Sequence, residues 1–195
     1  MRVSRIVAAC VVPLLILLLG ANAAERPRLT FTGLGDIHIG MSESRARALG
    51  FRLTSAGPWG EVGDDDYVAC HYLDSAPGYP AIAVMINDHE VVRIDIGYRS
   101  LGENWMSLSG ARIGMSEQEL AAIYGDWLQI SPHPYLDEAG SYLSLTSSDG
   151  RYAMIFETAA EDFDADALQA GNQPRLVTAF RAGRSGPVGY IEGCA

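Results

Sequence analysis

The chain has 195 residues, and its 24 Asp and Glu residues outnumber its 14 basic residues, all of them arginine, so the formal net charge is −10. A surface with this charge repels nucleic acid and anionic lipid, and we expect neither as a partner. The length suits one domain or two small ones.

The N-terminus has the three parts of a secretory signal. Two arginines lie in residues 1–5, an apolar run fills residues 6–20, and Ala21 and Ala23 form a small-x-small cleavage pattern. Pro13 interrupts the run, which is shorter than the roughly 20 apolar residues of a membrane span. We therefore predict a signal peptide at 1–23 and a periplasmic or secreted protein with no membrane anchor after cleavage.

Two cysteines remain once the signal is removed, because Cys10 leaves with it. Cys70 and Cys194 form an even pair, and an oxidising compartment favours their pairing. We predict a disulfide between them that ties the C-terminal tail to the first half of the chain. Two free thiols are the alternative.

The five residues IGMSE occur twice, at 39–43 and at 113–117. In each copy a serine, Ser42 or Ser116, is a favourable N-cap for a helix, and the glutamate that follows complements the helix dipole. Gly50 and Gly125 are the matching C-terminal stops. The repeated residues therefore predict two equivalent helix starts.

Alternating apolar residues predict antiparallel strands after each helix. The predicted strands are 67–73, 81–86 and 90–96 in the first half, and 141–147, 151–157 and 175–182 in the second. In the strand 90–96, Val92, Ile94 and Ile96 alternate with Arg93 and Asp95. An acidic insertion, 158–174, precedes the last strand.

These elements predict an α+β fold built from two tandem repeats, each a short helical segment followed by antiparallel strands. The first repeat spans 24–100, and the second spans 101–195 with the insertion 158–174 and the C-terminal tail. Because a core of so few residues is marginal alone, we expect the repeats to share one sheet. The helices are expected on one face of that sheet, with the other face open.

Two copies of the pattern IGMSExxxxA, each with a glycine two or three residues later and each leading into an antiparallel sheet, resemble the β-lactamase-inhibitor-protein fold. The same helix start resembles the small outer-membrane-assembly lipoproteins of the SmpA/OmlA type. The resemblance covers residues 36–181 and implies an open sheet face that grips another protein. The matching residues are helix-start devices, and the chain lacks a lipidation cysteine at the position that the assembly lipoproteins need.

The sequence contains no G-x-S-x-G, H-E-x-x-H, C-x-x-C or P-loop pattern. Its four histidines, at 38, 71, 89 and 133, lack the spacing of a metal site, and the acidic stretches 63–67 and 158–174 lack that of a calcium loop. We therefore predict no catalytic residue, no metal site and no cofactor. A Ser-His-Asp triad that assembles only in space stays open as an alternative.

The candidate binding residues are those that project from the open face or that typically anchor interfaces. If Val92, Ile94 and Ile96 face the helices, Arg93 and Asp95 face away from them. Arg181 in the last strand joins these two residues. The predicted protein-binding face comprises Tyr72, Arg93, Asp95, Tyr135 and Arg181. For the aromatic residues the alternative is burial in the core. The proline-marked segment 131–142 is interpreted as a connector, with a recognition loop as its alternative.

We expect an exported protein-binding module without enzymatic activity, an inhibitor or immunity-type protein whose partner is another exported or envelope protein. An envelope or outer-membrane assembly factor is the first alternative. A small hydrolase with a spatially assembled site is the second.

Overall fold

The computed structural model describes residues 26–53, 70–97, 102–160 and 173–194. The predicted signal peptide, the acidic stretch 63–67 and residues 161–172 of the predicted insertion lie outside these ranges. The fold is α+β, with an eight-stranded antiparallel sheet, a two-stranded hairpin and few helices. None of the helices in the described ranges is long and apolar enough to cross a membrane.

The secondary structure follows the predicted order of helices and strands. The strands are β1 (Gly33–Leu34), β2 (Ile37–His38), β3 (Arg52–Leu53), β4 (Cys70–Ala76), β5 (Tyr79–Asn87), β6 (Glu90–Ile96), β7 (Gln129–His133), β8 (Asp137–Thr146), β9 (Tyr152–Ala160) and β10 (Arg175–Arg184). The helices are α1 (Glu43–Ala48), α2 (Glu117–Tyr124) and α3 (Ser185–Val188), with a 3₁₀ turn after α2 at Gly125–Trp127.

The sheet consists of two four-stranded meanders that meet at their last strands. Its order is β3-β4-β5-β6-β10-β9-β8-β7, so β6 of the first half pairs with β10 of the second. In this central antiparallel pair, Phe180 lies opposite Ile96 and Arg181 lies opposite Asp95. A single sheet therefore joins both halves of the chain, and the functional candidates of both halves lie on neighbouring strands.

The main core lies between the sheet and the helices α1 and α2. Ala46 of α1 and Leu120 of α2 are fully buried in the same apolar cluster as Phe156 and Phe180 of the sheet. The rings of these two phenylalanines stack with centroids 5.6 Å apart. Burial of side chains this large contributes about 1.5–3 kcal/mol each, so this cluster is the main source of stability.

Each IGMSE segment forms two backbone hydrogen bonds with the last strand of its own half. Gly40 and Gly114 have φ values of +87° and +86°, a conformation that glycine adopts without strain and other residues rarely do. The bonds are Gly40 N–H to Val91 O (2.7 Å), Val91 N–H to Met41 O (2.8 Å), Gly114 N–H to Val177 O (2.8 Å) and Val177 N–H to Met115 O (2.8 Å).

The two serines cap the helices that follow. The Ser42 side chain accepts a hydrogen bond from the backbone N–H of Arg45 at 3.4 Å. Ser116 accepts one from Glu119 at 3.2 Å, and the Glu119 carboxylate accepts one from the Ser116 backbone at 2.8 Å. Those bonds from Ser116 lower the pKa of Glu119. The second helix therefore has a complete capping box, and the first has a single cap bond.

The glutamate of each repeated segment also ties its helix to the sheet. Glu43 Oε1 lies 3.0 Å from His71 Nε2 on β4. Glu117 Oε1 accepts a hydrogen bond of 2.6 Å from the Thr158 hydroxyl and lies 2.9 Å from Arg175 Nε. The sequence predicted that these glutamates complement the helix dipole, but it did not predict their contacts with the sheet.

Three features differ from the sequence expectations. The segment 131–142, predicted as a loop, contributes to the hairpin of β7 and β8, because a terminal strand accepts Pro132 without losing a ladder bond. Strand β9 extends to Ala160 and so takes the first three residues of the predicted insertion. A register shift opposite Met85 and Ile86 moves Val91, instead of Val92, into the main core cluster.

Candidate protein-binding face

The arginines that the sequence singled out lie in the middle of the sheet and outside the main core cluster. Arg93 on β6 and Arg181 on β10 lie on neighbouring central strands, and their register places Arg181 opposite Asp95. Their exposed fractions are only 4% and 5%. The expectation that these arginines project from an open face is therefore wrong, because another part of the chain covers them.

The cover is the C-terminal tail, which we define as residues 185–194. Helix α3 begins the tail, and its Val188 is 1% exposed in a small second core with Tyr142, Ala153 and Ile155. The tail continues across the sheet until Cys194 forms a disulfide with Cys70 of β4. The disulfide predicted from the sequence is thus present.

The two arginines hold the backbone of the tail. Arg93 Nη1 donates hydrogen bonds to the carbonyl oxygens of Pro187 at 3.0 Å and Tyr190 at 2.8 Å. Arg181 Nε donates to the carbonyl of Val188 at 2.6 Å. Hydrogen bonds from a charged group contribute about 1.5–3 kcal/mol each, so these three bonds fix the tail strongly.

Carboxylates and aromatic rings surround the buried guanidinium groups. Arg93 Nε lies 2.9 Å from the Asp95 carboxylate, and Arg181 pairs with Glu157. Each arginine also lies over a tyrosine ring, at 5.7 Å for Tyr72 and 5.2 Å for Tyr142. These partners offset the desolvation cost of burying two charges. Arg181 Nη2 is nevertheless buried without a partner.

Tyr72 is part of the same cluster. Its hydroxyl accepts a hydrogen bond from Arg93 Nη2. Burial, assisted by the Asp95 charge, raises the pKa of Tyr72 well above its ordinary value, although the charge of Arg93 opposes this shift. Gly193 of the tail lies against the ring, since a Cβ at this position would lie 2.7 Å from the Tyr72 hydroxyl. The tail therefore covers part of this tyrosine.

Tyr135 lies away from this cluster, in the turn of the β7–β8 hairpin, and it is 61% exposed. Its hydroxyl donates a 2.5 Å hydrogen bond to the Glu192 carboxylate of the tail, and this bond raises the pKa of Tyr135. The neighbouring His133 packs edge-on against Tyr142, and burial followed by the charge of Arg181 lowers its pKa. The hairpin and the tail are therefore joined.

Exposed apolar side chains are concentrated on this hairpin and the tail. Of the seven large apolar side chains that are exposed in the described ranges, five lie here, and a sixth, Trp127, lies in the 3₁₀ turn before β7 and is 79% exposed. We call these six residues the apolar rim: Trp127, Ile130, Tyr135, Leu136, Tyr190 and Ile191. The exposed surface near the predicted face is thus the rim, and not the central strands.

Two of the four histidines form contacts with their neighbours in the fold. His71 Nε2 contacts the Glu43 carboxylate, and His133 Nδ1 accepts a hydrogen bond from the backbone N–H of Tyr135. Within the described ranges, no group of three His, Cys, Asp or Glu side chains is arranged to hold a metal ion.

Several residues of this face were not identified from the sequence. Glu157, Tyr142 and Val188 became relevant only through strand register and the path of the tail. The signal for Glu157 was present, since it alternates with Phe156 in β9 and must face the side opposite the main core. The path of the tail across the arginines had no such signal.

Comparison with known proteins gave no match, since no protein-family model, curated protein or solved structure matches the chain.

Proposed function

We propose that the chain is an exported protein-binding module without enzymatic activity, an inhibitor or immunity-type protein of another exported enzyme. The observation that carries this proposal is the apolar rim. Exposed apolar patches of this kind mark interaction sites on proteins, and tryptophan and tyrosine are enriched among the residues that dominate binding energy.

The rim is held in place before any partner arrives. Strand β7 pairs with β8, and the hydrogen bond from Tyr135 to Glu192 joins the hairpin to the tail. The disulfide at Cys194 anchors the far end of that tail. Such preorganisation supports binding because less conformational entropy is lost when the partner docks.

The proposed architecture is a tandem duplication with the two longer helices on one sheet face, similar to the β-lactamase-inhibitor-protein fold. The equivalent backbone bonds of Gly40 and Gly114 with the last strand of each half support it. The two serine caps support it as well. One departure from an open-faced inhibitor is the tail, and the proposed contact surface therefore lies at the rim.

Export is proposed from the N-terminal signal pattern, and the disulfide between Cys70 and Cys194 is compatible with an oxidising compartment. The destination is the periplasm or the medium. The partner is then another exported or envelope protein.

The test is affinity capture from the periplasmic and secreted fractions of the source cell, with the purified disulfide-bonded protein as bait. A rim variant, Trp127→Ser with Tyr190→Ser, is compared with Leu108→Ser. Leu108 is the matched control because it is 65% exposed but outside the rim. We expect the wild type and the control to retain one soluble enzyme, and the rim variant to lose it.

The captured enzyme should lose activity when the wild-type protein is added and keep it with the rim variant. Capture that is equal for all three proteins, or no capture, would contradict the proposal. Enrichment of outer-membrane components would indicate the assembly factor instead. Turnover of ester or amide substrates by the purified protein would indicate the hydrolase.

A further inference from the structure

The terminal strand β7 borders a groove of about 650 Å³. Among the strands of the described ranges, β7 has one neighbour in the sheet order, β8, and its other side pairs with none of them. Residues that line the groove include Ile130, Pro132, Asp137, Glu138, Ser141 and Arg175. A groove beside a strand edge is where an extended peptide can add to a sheet.

The hydrogen bonds of β8 show which backbone groups of β7 point outward. Ser141 donates its N–H to Thr158 Oγ1, and Ser147, just after β8, donates its N–H to the Tyr152 carbonyl at 2.8 Å. The odd-numbered residues of β8, Ser141 among them, therefore direct their backbone groups to β9. Pro132, the register partner of Ser141, therefore belongs to a pair without ladder bonds. Its missing N–H costs nothing at that position.

The alternation of an antiparallel ladder extends this assignment along the strand. Ile130, two residues before Pro132, has its N–H and carbonyl directed away from β8. Gln129 has the opposite orientation, and its carbonyl accepts the Ser144 hydroxyl of β8 at 3.5 Å. The outer edge of β7 thus offers one donor and two acceptors, from Ile130 and Pro132.

The charge of the groove identifies the kind of segment that fits it. Asp137 and Glu138 line it with two carboxylates. The one arginine in the lining, Arg175, is already engaged by Glu117 at 2.9 Å and by the Glu138 carbonyl at 2.9 Å. A basic segment is therefore attracted, whereas a second copy of this edge would bring four carboxylates together.

We propose that the β7 edge and its groove bind an extended segment of the partner protein, with basic and apolar residues in alternation, by strand addition. This inference depends on the proposed protein-binding function and names the element that the partner inserts. The apolar residues of the segment contact Ile130, and its basic residues lie beside Asp137 and Glu138.

The test is fluorescence anisotropy with a labelled decapeptide of alternating arginine and valine and the purified disulfide-bonded protein. We expect saturable binding that weakens as salt rises. A glutamate–valine peptide should bind at least tenfold more weakly. The arginine–valine peptide methylated on every backbone nitrogen should also bind at least tenfold more weakly, since neither of its edges can donate a hydrogen bond to β7.

Variants of the protein separate the contributions of charge and backbone. Asp137→Asn with Glu138→Gln should lower the affinity for the basic peptide by about three- to tenfold, which is the range expected from the loss of two exposed charge pairs. Asn suits position 137 because the residue there has φ +45°. Ile130→Pro removes the outward N–H and should weaken binding at least fivefold, whereas Ile130→Val keeps the N–H and should leave it unchanged.

Several outcomes would overturn the inference. Absence of binding by the basic peptide, or equal binding of the methylated or acidic peptide, would do so, as would full affinity of the Ile130→Pro variant. Sedimentation that shows a dimer dissolved by Ile130→Pro would assign the edge to a second copy. If the Ile130 and Asp137 variants still capture the partner and the Trp127 variant does not, the strand-addition inference is refuted and the proposed protein-binding function is not.

Discussion

Replacement of both disulfide cysteines, Cys70→Ser with Cys194→Ser, should lower the free energy of unfolding but leave most of the tail docked. The bond joins residues separated by 124 positions. Loop-closure entropy for a loop of this length corresponds to about 5 kcal/mol at 25 °C, as an upper value. For a chain of this size the melting temperature should fall by about 10–15 °C.

The tail has its own contacts with the sheet, and the lost bond does not remove them. Three hydrogen bonds from Arg93 and Arg181 reach tail carbonyls, the last of them at Tyr190. Burial of Val188 adds about 1.5–3 kcal/mol. We therefore expect residues 185–190 to stay in place. The hydrogen bond from Tyr135 to Glu192 should hold the rest of the tail, so that Gly193 stays against Tyr72.

The assay combines urea unfolding with a spectroscopic pH titration of the tyrosines. The difference between each protein and its Tyr72→Phe version isolates Tyr72, whose pKa is raised chiefly by burial. In the folded double-serine variant the pKa of Tyr72 should stay above its ordinary value. Ionisation of Tyr72 near pH 10 would show that the tail has detached and would refute this reasoning, as would a loss of unfolding free energy below about 1 kcal/mol.

Three further predictions test the fold. Ser116→Ala should lower the free energy of unfolding by about 1 kcal/mol, and Ser42→Ala should lower it by less, because only Ser116 has a complete capping box. Urea unfolding measures both, and equal losses would contradict this. Gly183→Ala should cost about 1–3 kcal/mol and Gly186→Ala almost nothing, since a Cβ meets a backbone oxygen at 2.3 Å only at Gly183; similar melting temperatures would contradict it. The unfolding free energy should also fall as pH rises above about 10, because the proton that folded Tyr72 retains is lost more readily in the unfolded chain. Tyr72→Phe should reduce that slope but not abolish it, since the pKa values of Tyr124 and Tyr135 are raised as well; an unchanged slope in urea unfolding would contradict this.

The helix starts and most strands could be predicted from the sequence because they depend on local chemistry. A serine that accepts a free N–H determines where α1 and α2 begin, and the apolar alternation of β6 matches its bounds, Glu90–Ile96. The disulfide could be predicted as well, since an even pair of cysteines in an exported chain has one possible pairing.

The closed face could not be predicted in the same way. Alternation showed that Arg93 and Arg181 leave the main core, but it gave no information on what covers them. The cover depends on the tail crossing from β10 to β4, a long-range path that no local pattern encodes. Strand β7 was missed because Pro132 indicates a loop unless the strand is known to be terminal.

The covered arginines change where a partner can bind. An inhibitor that binds an enzyme through an open sheet face must desolvate the central residues of that face when it binds. Here the chain itself already desolvates Arg93 and Arg181, and these arginines donate hydrogen bonds to the tail. Displacement of the tail by a partner would require the loss of three charged hydrogen bonds and the Val188 contacts, about 6–12 kcal/mol before any new contact forms. Because that cost approaches the binding free energy of a nanomolar complex, about 12 kcal/mol, we expect the proposed partner to bind the rim and the β7 edge instead of the covered face.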